Sequence, residues 1–340
     1  MRNMPDVPHL MRAVIAESVG EPQRLVQVST PRPRAGEVLV RVMASALNPL
    51  DAKILAGMAE HARQPLPAIL GIDMAGIVVA VGPDTLRFRE GDAVFGMAGG
   101  VGGHPGSLAE YVSVDERLLA RKPAHFSLRE TAAVPLVFIT AWEGLVDRAN
   151  VHAGQRVLVR GGAGGTGQMA LQIARAQGAT TFATGSSSAR EIVEQLGARF
   201  VDREEPLAAV VARDTGNQGF DIVFDTAGGE SLDRSFAMVR RFGHVVSTLG
   251  WGTHSLAPLS FRAASYSSIF TLLPLLTGEG GAHHGEILAE ATRLAEAGAL
   301  VPGLDPRHFT LGTVSDAYRL LEAGMARGKL VIDVGEEVAI

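Results

Sequence analysis

Hydrophobic positions fall along this chain in two textures. Between residues 11 and 114, short runs of Val, Ile, Leu and Ala at 11–16, 38–42, 77–81, 93–96 and 109–114 are separated by Gly and Pro. Runs of that length, bounded by turn residues, predict strands, and their succession predicts an antiparallel barrel or sandwich. The texture changes at Ser127, which with Glu130 three residues later forms a capping box and opens a helical run through residue 133; a second helical run starts near Thr140. From 156 onward strands (156–160, 180–184, 222–225, 243–248) alternate with helices (168–177, 189–196, 231–240). This alternation predicts a parallel sheet built by right-handed crossovers, with helices on both faces. A helix at 284–297 stops at Gly298, and the remaining segments, 309–311, a helix at 314–324 and a strand at 329–334, have the texture of the first part again. The expectation is an α/β chain of two domains. Residues 1–126 and 300–340 form the barrel, and residues 127–299 form an inserted, doubly wound parallel sheet.

Composition narrows what such a chain does. At 340 residues it exceeds what one ordinary core accommodates, and 46% hydrophobic with 20% charged residues suits compact domains over disorder. A net charge of -5 with no block of like charge leaves no footprint for nucleic acid or an anionic membrane. The most apolar stretch, 269–276, is broken by Pro274 and is far shorter than the roughly 20 residues of a spanning helix. The first ten residues contain Pro5, Asp6 and Pro8 without an apolar core, so no secretory signal and a cytoplasmic location are expected. Zero cysteines exclude disulfides, thiolate nucleophiles and every cysteine-based zinc site. His283 and His284 are adjacent and would point about 100° apart on a helix, which predicts a solvated turn and no shared metal. Tyr266 and Phe270 stand at helical spacing, as core or pocket-wall residues.

The densest chemical signal is at 157–179. An apolar strand runs into a glycine-rich turn, and the helix that follows carries Met169, Leu171, Ile173 and Ala174 toward the sheet. Gly162, Gly164 and Gly167 satisfy G-x-G-x-x-G within that strand-turn-helix context. Glycines let the turn tighten and the backbone approach a pyrophosphate, while the helix N-terminus supplies N–H donors, so the segment predicts dinucleotide binding. An NAD site expects an acid about 20 residues beyond the first glycine. Here no carboxylate lies between Gly167 and Glu191, and Ser186, Ser187, Ser188 and Arg190 occupy that window. Hydroxyls and a guanidinium suit a 2′-phosphate, which selects NADPH.

Eight ordered segments carry a resemblance over nearly the whole chain: 46–57 with N-P-x-D, 71–82 with G-x-D-x-x-G-x-V-x-x-V-G, 89–96, 106–112, 132–145, 161–167, 225–229 and 327–334. In type and order they resemble the medium-chain dehydrogenase/reductase superfamily, in its zinc-independent quinone oxidoreductase and alkenal reductase branch. The resemblance implies a chaperonin-10-like β-barrel domain plus a Rossmann domain, a cleft between them, and a homodimer. It also implies that Asn48 stands where zinc-using members have a cysteine, and Ile72 and Asp73 where they have a His-Glu pair. Thr140 matches a threonine beside the nicotinamide, Leu249 and Gly250 match a loop on the nicotinamide ribose, and Lys329 matches a strand that closes over the cofactor.

The function these residues imply is hydride transfer from NADPH to a quinone or an α,β-unsaturated carbonyl. The dinucleotide would be held by Gly162, Gly164, Gly165, Thr166, Gly167, Ser186, Ser187 and Arg190. Without a metal, fixed donors must meet the charge that develops on the carbonyl oxygen, and Asn48 and Lys53 are assigned to polarising or positioning the acceptor carbonyl. The other readings are a second kind of reductase from the alcohol dehydrogenase superfamily and a crystallin-like or regulatory NADPH-binding protein with little catalysis. The segment 261–278 differs from the family pattern and leaves the acceptor open.

Overall fold

A computed structural model describes residues 7–335. They form two compact units, one running up to Leu136 and resuming at Leu272, the other Val137–Thr271. Residues 1–6, part of the stretch expected to lack a secretory signal, and residues 336–340 lie outside the described residues. No helix among the described residues is long and apolar enough to cross a membrane.

The first unit is mainly antiparallel, as the short apolar runs predict. Strand Glu37–Ala46 lies at its centre and pairs antiparallel with Asp73–Val81, Tyr111–Asp115 and Val331–Asp333. Ala93–Met97 and Leu119–Arg121 extend the sheet on one side, and Phe309–Thr310 extends it on the other. Val38, Leu39, Val40, Val42, Ala44 and Ala46 are all buried, so this strand is covered on both faces and reads as a continuous apolar run. A second sheet joins Leu10–Ala16 to Arg24–Ser29 and Ala68–Ile69. Arg24–Ser29 has no residue in the core, so its polar pattern hides it from a hydrophobic reading. The chain's return is as expected, because Val331–Asp333 closes against the central strand.

The second unit has six parallel strands: β1 (Arg156–Arg160), β2 (Thr180–Gly185), β3 (Arg199–Asp202), β4 (Phe220–Asp225), β5 (Val239–Ser247) and β6 (Ser265–Ser268). Their order is β3-β2-β1-β4-β5-β6, with the reversal between β1 and β4. Four helices matter below: α1 (Gly165–Ala176), α2 (Arg190–Gln195), α3 (Leu207–Thr215) and α4 (Glu230–Met238). Leu158, Phe182, Val201, Phe220, Val223, Phe236 and Val245 form the core. β3, α3 and β6 escape the sequence reading because β3 is four residues long and opens on an exposed Arg199, and β6 is Ser-Tyr-Ser-Ser at the sheet edge.

Three expectations change. Helix Gly281–Glu296, placed by its texture in the parallel-sheet domain, belongs to the first unit, where Thr292 Oγ1 donates to Arg121 O at 2.8 Å and Gly285 lies close against Arg117 O. The compact parallel-sheet unit is therefore narrower at both ends than residues 127–299. His284 sits on this helix and is buried on the face of Ile287, Leu288 and Ala291, whereas the adjacent pair was expected in a solvated turn. Spacing of three or four residues puts it on that apolar face, and His283, one position away, meets Glu286 at the surface. Tyr266 lies on β6, so its spacing to Phe270 is not helical; its ring meets the Phe236 ring edge-on at 5.7 Å and packs against the core.

Candidate active site and dinucleotide groove

The first unit holds a buried polar knot. The central strand ends at Ala46, and Asn48 precedes the short helix Pro49–Leu55, where proline at the first position has no N–H to leave unpaired. Asp51 Oδ2 accepts from Asn48 N at 2.8 Å and its Oδ1 accepts from Gly71 N at 3.2 Å, which ties the helix start to the approach of strand Asp73–Val81. Burial pushes the Asp51 carboxyl up to about 7, with nearby Asp73 adding to the rise; the Asn48 and Gly71 hydrogen bonds and Lys329 oppose it.

Asn48 Nδ2 donates to Asp73 Oδ2 at 3.0 Å and to Ala46 O at 3.4 Å. Its Oδ1 accepts from Lys329 Nζ, which also donates to Leu47 O at 3.0 Å and Asp73 Oδ2 at 3.3 Å. Asp73 Oδ1 accepts from Leu136 N at 2.9 Å. Burial raises the Asp73 carboxyl pKa, against the opposing pull of Lys329. An ammonium has three donors and all three are occupied here. The amide of Asn48 likewise has no hydrogen left over, so the expectation that it donates to an acceptor carbonyl does not fit this arrangement, and Lys329 is anchored inside the unit. Lys53, one turn along the helix, is exposed and has no ion-pair partner among the described residues.

Zinc does not fit these residues. The amide of Asn48 and the buried side chain of Ile72 cannot replace thiolate and imidazole, and the carboxylate of Asp73 is committed to Lys329, Asn48 and Leu136 N. Among the described residues no group of three His, Cys, Asp or Glu could hold a metal.

In the second unit, α1 begins directly after the glycine turn with Gly164 as its N-cap. A Cβ at Gly162 would stand 2.4 Å from Ala183 Cβ, and one at Gly167 would stand 2.2 Å from Gly161 O. Those two glycines let helix and strand approach. Gly164 is different, because the nearest atom to its Cβ position is 3.5 Å away, so its bareness serves a space in front of the helix. That space belongs to a groove of about 510 Å³ at the carboxyl ends of the strands, whose lining includes Arg160, Gly164, Ser186, Arg203, Thr226 and Arg234. It lies at the reversal in strand order, where such sheets bind ligands. A dinucleotide's pyrophosphate fits the helix N-terminus there.

Arg160, the last residue of β1, is buried under this groove. Its Nε donates to Ser231 Oγ at 2.9 Å and lies 3.9 Å from Asp225 Oδ2. Burial lowers the guanidinium pKa; Asp225 opposes the shift and Arg234 adds to it. Asp225 in turn accepts from Gly228 N at 2.7 Å and Ser231 Oγ at 2.6 Å, which folds the loop after β4 onto the end of its own strand, and Thr226 Oγ1 donates to Arg160 O at 2.7 Å, which ties that loop to the end of β1.

Of the expected cofactor residues, Gly164 and Ser186 line the groove, Gly165 and Thr166 begin α1, and Ser187 is exposed beside it. Arg190 is not among the lining residues: its guanidinium stacks 4.3 Å from the Phe200 ring centroid and meets Glu194 at 3.3 Å. Elsewhere in the unit, Thr140 Oγ1 pairs with Thr271 Oγ1 at 3.1 Å, Leu249 N donates to Ser247 Oγ at 3.1 Å, and Gly250 leaves room for the Tyr266 hydroxyl. Asp51, Arg160, Arg203, Asp225 and Arg234 went unmarked as site residues. A charged residue immediately before the glycine turn was the one signal available for Arg160.

A family model described as "Alcohol dehydrogenase GroES-like domain" matches residues 34–124, and one described as "Zinc-binding dehydrogenase" matches residues 196–332. The chain is 34% identical over 312 residues to the "NADPH-dependent alkenal/one oxidoreductase, chloroplastic" of Arabidopsis thaliana, covering 90% of this chain and 74% of that one. It is 30% identical over 331 residues to the human "Quinone oxidoreductase", covering 95% and 98%. A crystal structure of an alcohol dehydrogenase superfamily protein from Novosphingobium aromaticivorans is 54% identical, with a TM-score of 0.94, covering 96% of this chain and 100% of that one.

Proposed function

Because the chain belongs to the medium-chain dehydrogenase/reductase superfamily, in its quinone oxidoreductase and alkenal reductase branch, we propose that it is an NADPH-dependent, zinc-independent reductase of α,β-unsaturated carbonyls or quinones. One observation carries the reading. At the positions that match metal ligands in zinc-using members, Asn48 and Asp73 are bound to the ammonium of Lys329. Without a metal Lewis acid, polarisation falls to protein donors, and conjugation makes the β carbon of an enone or alkenal, or the ring of a quinone, ready to accept hydride with that help.

The bound nicotinamide would supply hydride to the β carbon or quinone ring. The chain's own residues bind and orient. The turn of Gly162, Gly164, Gly165, Thr166 and Gly167 receives the pyrophosphate, Ser186 flanks the adenosine ribose, and Thr140, Leu249 and Gly250 border the nicotinamide end. Lys53, exposed at the end of its helix, is the donor to the developing oxyanion; Asn48 and Lys329 hold the backbone beside it. The active form is a homodimer.

The test is NADPH oxidation against a panel of 2-alkenals, enones and quinones, with Lys53→Ala beside the parent chain. Turnover with at least one conjugated acceptor, reduced about 10- to 100-fold in the variant, is the expected outcome. Tight NADPH binding with no oxidation on any acceptor would point to a binding protein instead. Full turnover in Lys53→Ala would remove Lys53 from the mechanism.

A further inference from the structure

The dinucleotide reading leaves open which residue distinguishes NADPH from NADH, and the groove offers a candidate that the sequence window did not. We propose that Arg203, backed by Arg234, recognises the adenosine 2′-phosphate, and that Arg190 does not; this rests on the dinucleotide reading above.

Register places Arg203 at the right point. β2 and β3 are parallel neighbours, with Gly185 opposite Asp202, and Arg203 N donates to Gly185 O at 3.0 Å. The residue after β3 therefore emerges beside the last residue of β2, which is where an adenosine ribose is met in sheets of this order. In an NAD site a carboxylate waits there, whereas this chain runs Gly185, Ser186, Ser187, Ser188.

The side chain is available. Arg203 is 64% exposed and lines the groove, and its one carboxylate partner among the described residues is Glu204, which takes Nε at 3.1 Å. The terminal guanidinium nitrogens, which form the fork that suits a phosphate, have no acceptor among the described residues. Arg190 is in the opposite situation, with its plane on Phe200 and its charge on Glu194.

Electrostatics favour an anion at this spot. Arg234 donates to Arg203 O at 3.2 Å and is close enough to Arg160 to help lower its pKa. Three guanidiniums from β1, the end of β3 and α4 thus border one groove. Against them stand Asp225, committed to Arg160, Gly228 N and Ser231, and the lining carboxylates Glu204 and Glu230. A 2′-phosphate carries about two negative charges near neutral pH and would offset the like-charge repulsion between Arg160 and Arg234.

The experiment measures dissociation constants for NADPH and NADH by calorimetry, on the full chain and on Arg203→Ala, Arg203→Lys, Arg234→Ala and Arg190→Ala. The parent chain is expected to bind NADPH more tightly than NADH. Arg203→Ala should weaken NADPH by about 10- to 100-fold and leave NADH unchanged, which also shows that the variant is folded. Arg203→Lys should retain part of the preference, Arg234→Ala should lose part of it, and Arg190→Ala should keep it. An unchanged NADPH to NADH ratio in Arg203→Ala, or a ratio that collapses in Arg190→Ala, overturns the assignment and leaves the dinucleotide reading intact. A parent chain that prefers NADH also removes it, and one that binds neither nucleotide removes both readings.

Discussion

Lys329 shows how a charged side chain can be kept in an interior: each donor has a defined acceptor, and the acceptors come from Leu47, Asn48 and Asp73. The arrangement is fragile in one direction. Lys329→Met would leave the Asp73 carboxylate and the Asn48 carbonyl without their partner, and removing one member of a buried pair costs about 3–5 kcal/mol. The urea midpoint of the variant should fall accordingly, with part of the loss recovered in Lys329→Met combined with Asp73→Asn. A midpoint equal to the parent's would mean the knot contributes little. Asp51 gives a pH signature of definite sign. Its carboxyl titrates at about 7 in the folded chain against an ordinary 3.8. Between those values the folded chain keeps a proton that the unfolded chain has lost, so this group's contribution to stability is full below pH 3.8, declines as pH rises, and is level above about 7. Asp51→Asn cannot titrate. The stability of the parent minus that of the variant should therefore fall from pH 4 toward pH 7; a constant difference would show that the carboxyl titrates normally.

At the scale of elements, the glycine turn separates two demands that the motif alone merges. Gly162 and Gly167 are bare because Ala183 and Gly161 O leave no room, and Gly164 is bare although room exists. Gly162→Ala and Gly167→Ala should each lower stability by about 1–3 kcal/mol through overpacking. Gly164→Ala should melt with the parent and bind NADPH more weakly; a variant that melts early but binds normally would reverse the assignment. The turn was legible because strand, turn and helix all signal it, and the capping box at Ser127 and Glu130 forms as read, with Ser127 N donating to Glu130 Oε2 at 2.7 Å. What stayed hidden obeys a different rule. Strands Arg24–Ser29 and β6 lie at sheet edges and pack the core only through partly buried side chains such as Val28 and Tyr266, so their composition carries little signal. The groove arginines were unreadable for a related reason: Arg160, Arg203 and Arg234 are 43 and 31 residues apart in sequence and meet only because β1 and β3 end, and α4 begins, at the same side of the sheet.

For the molecule as a whole, the return of the chain to its first unit bears directly on chemistry. Val331 pairs with Ala46, and Leu47 N donates to Leu330 O at 2.9 Å, so the last strand necessarily brings Lys329 alongside Asn48. The return itself could be read from the texture of the final 40 residues; the meeting of Lys329 with Asn48 and Asp73 could not, since nothing in the spacing announces it. A cation delivered by topology now stands among residues that match metal ligands in zinc-using relatives, although one matching family is described as a zinc-binding dehydrogenase. Adding a divalent ion beside the Lys329 ammonium would place like charges in contact in a buried site, which is strongly unfavourable. The purified protein is therefore expected to contain far less than one zinc per chain, and a strong chelator should change neither its melting temperature nor its turnover. Asn48→Cys should not recruit zinc either, because a single thiolate lacks the further ligands a tetrahedral site requires and Lys329 remains. Zinc measured at one equivalent per chain, with activity lost on chelation and regained on adding zinc, would defeat both this expectation and the metal-free reading of the reaction.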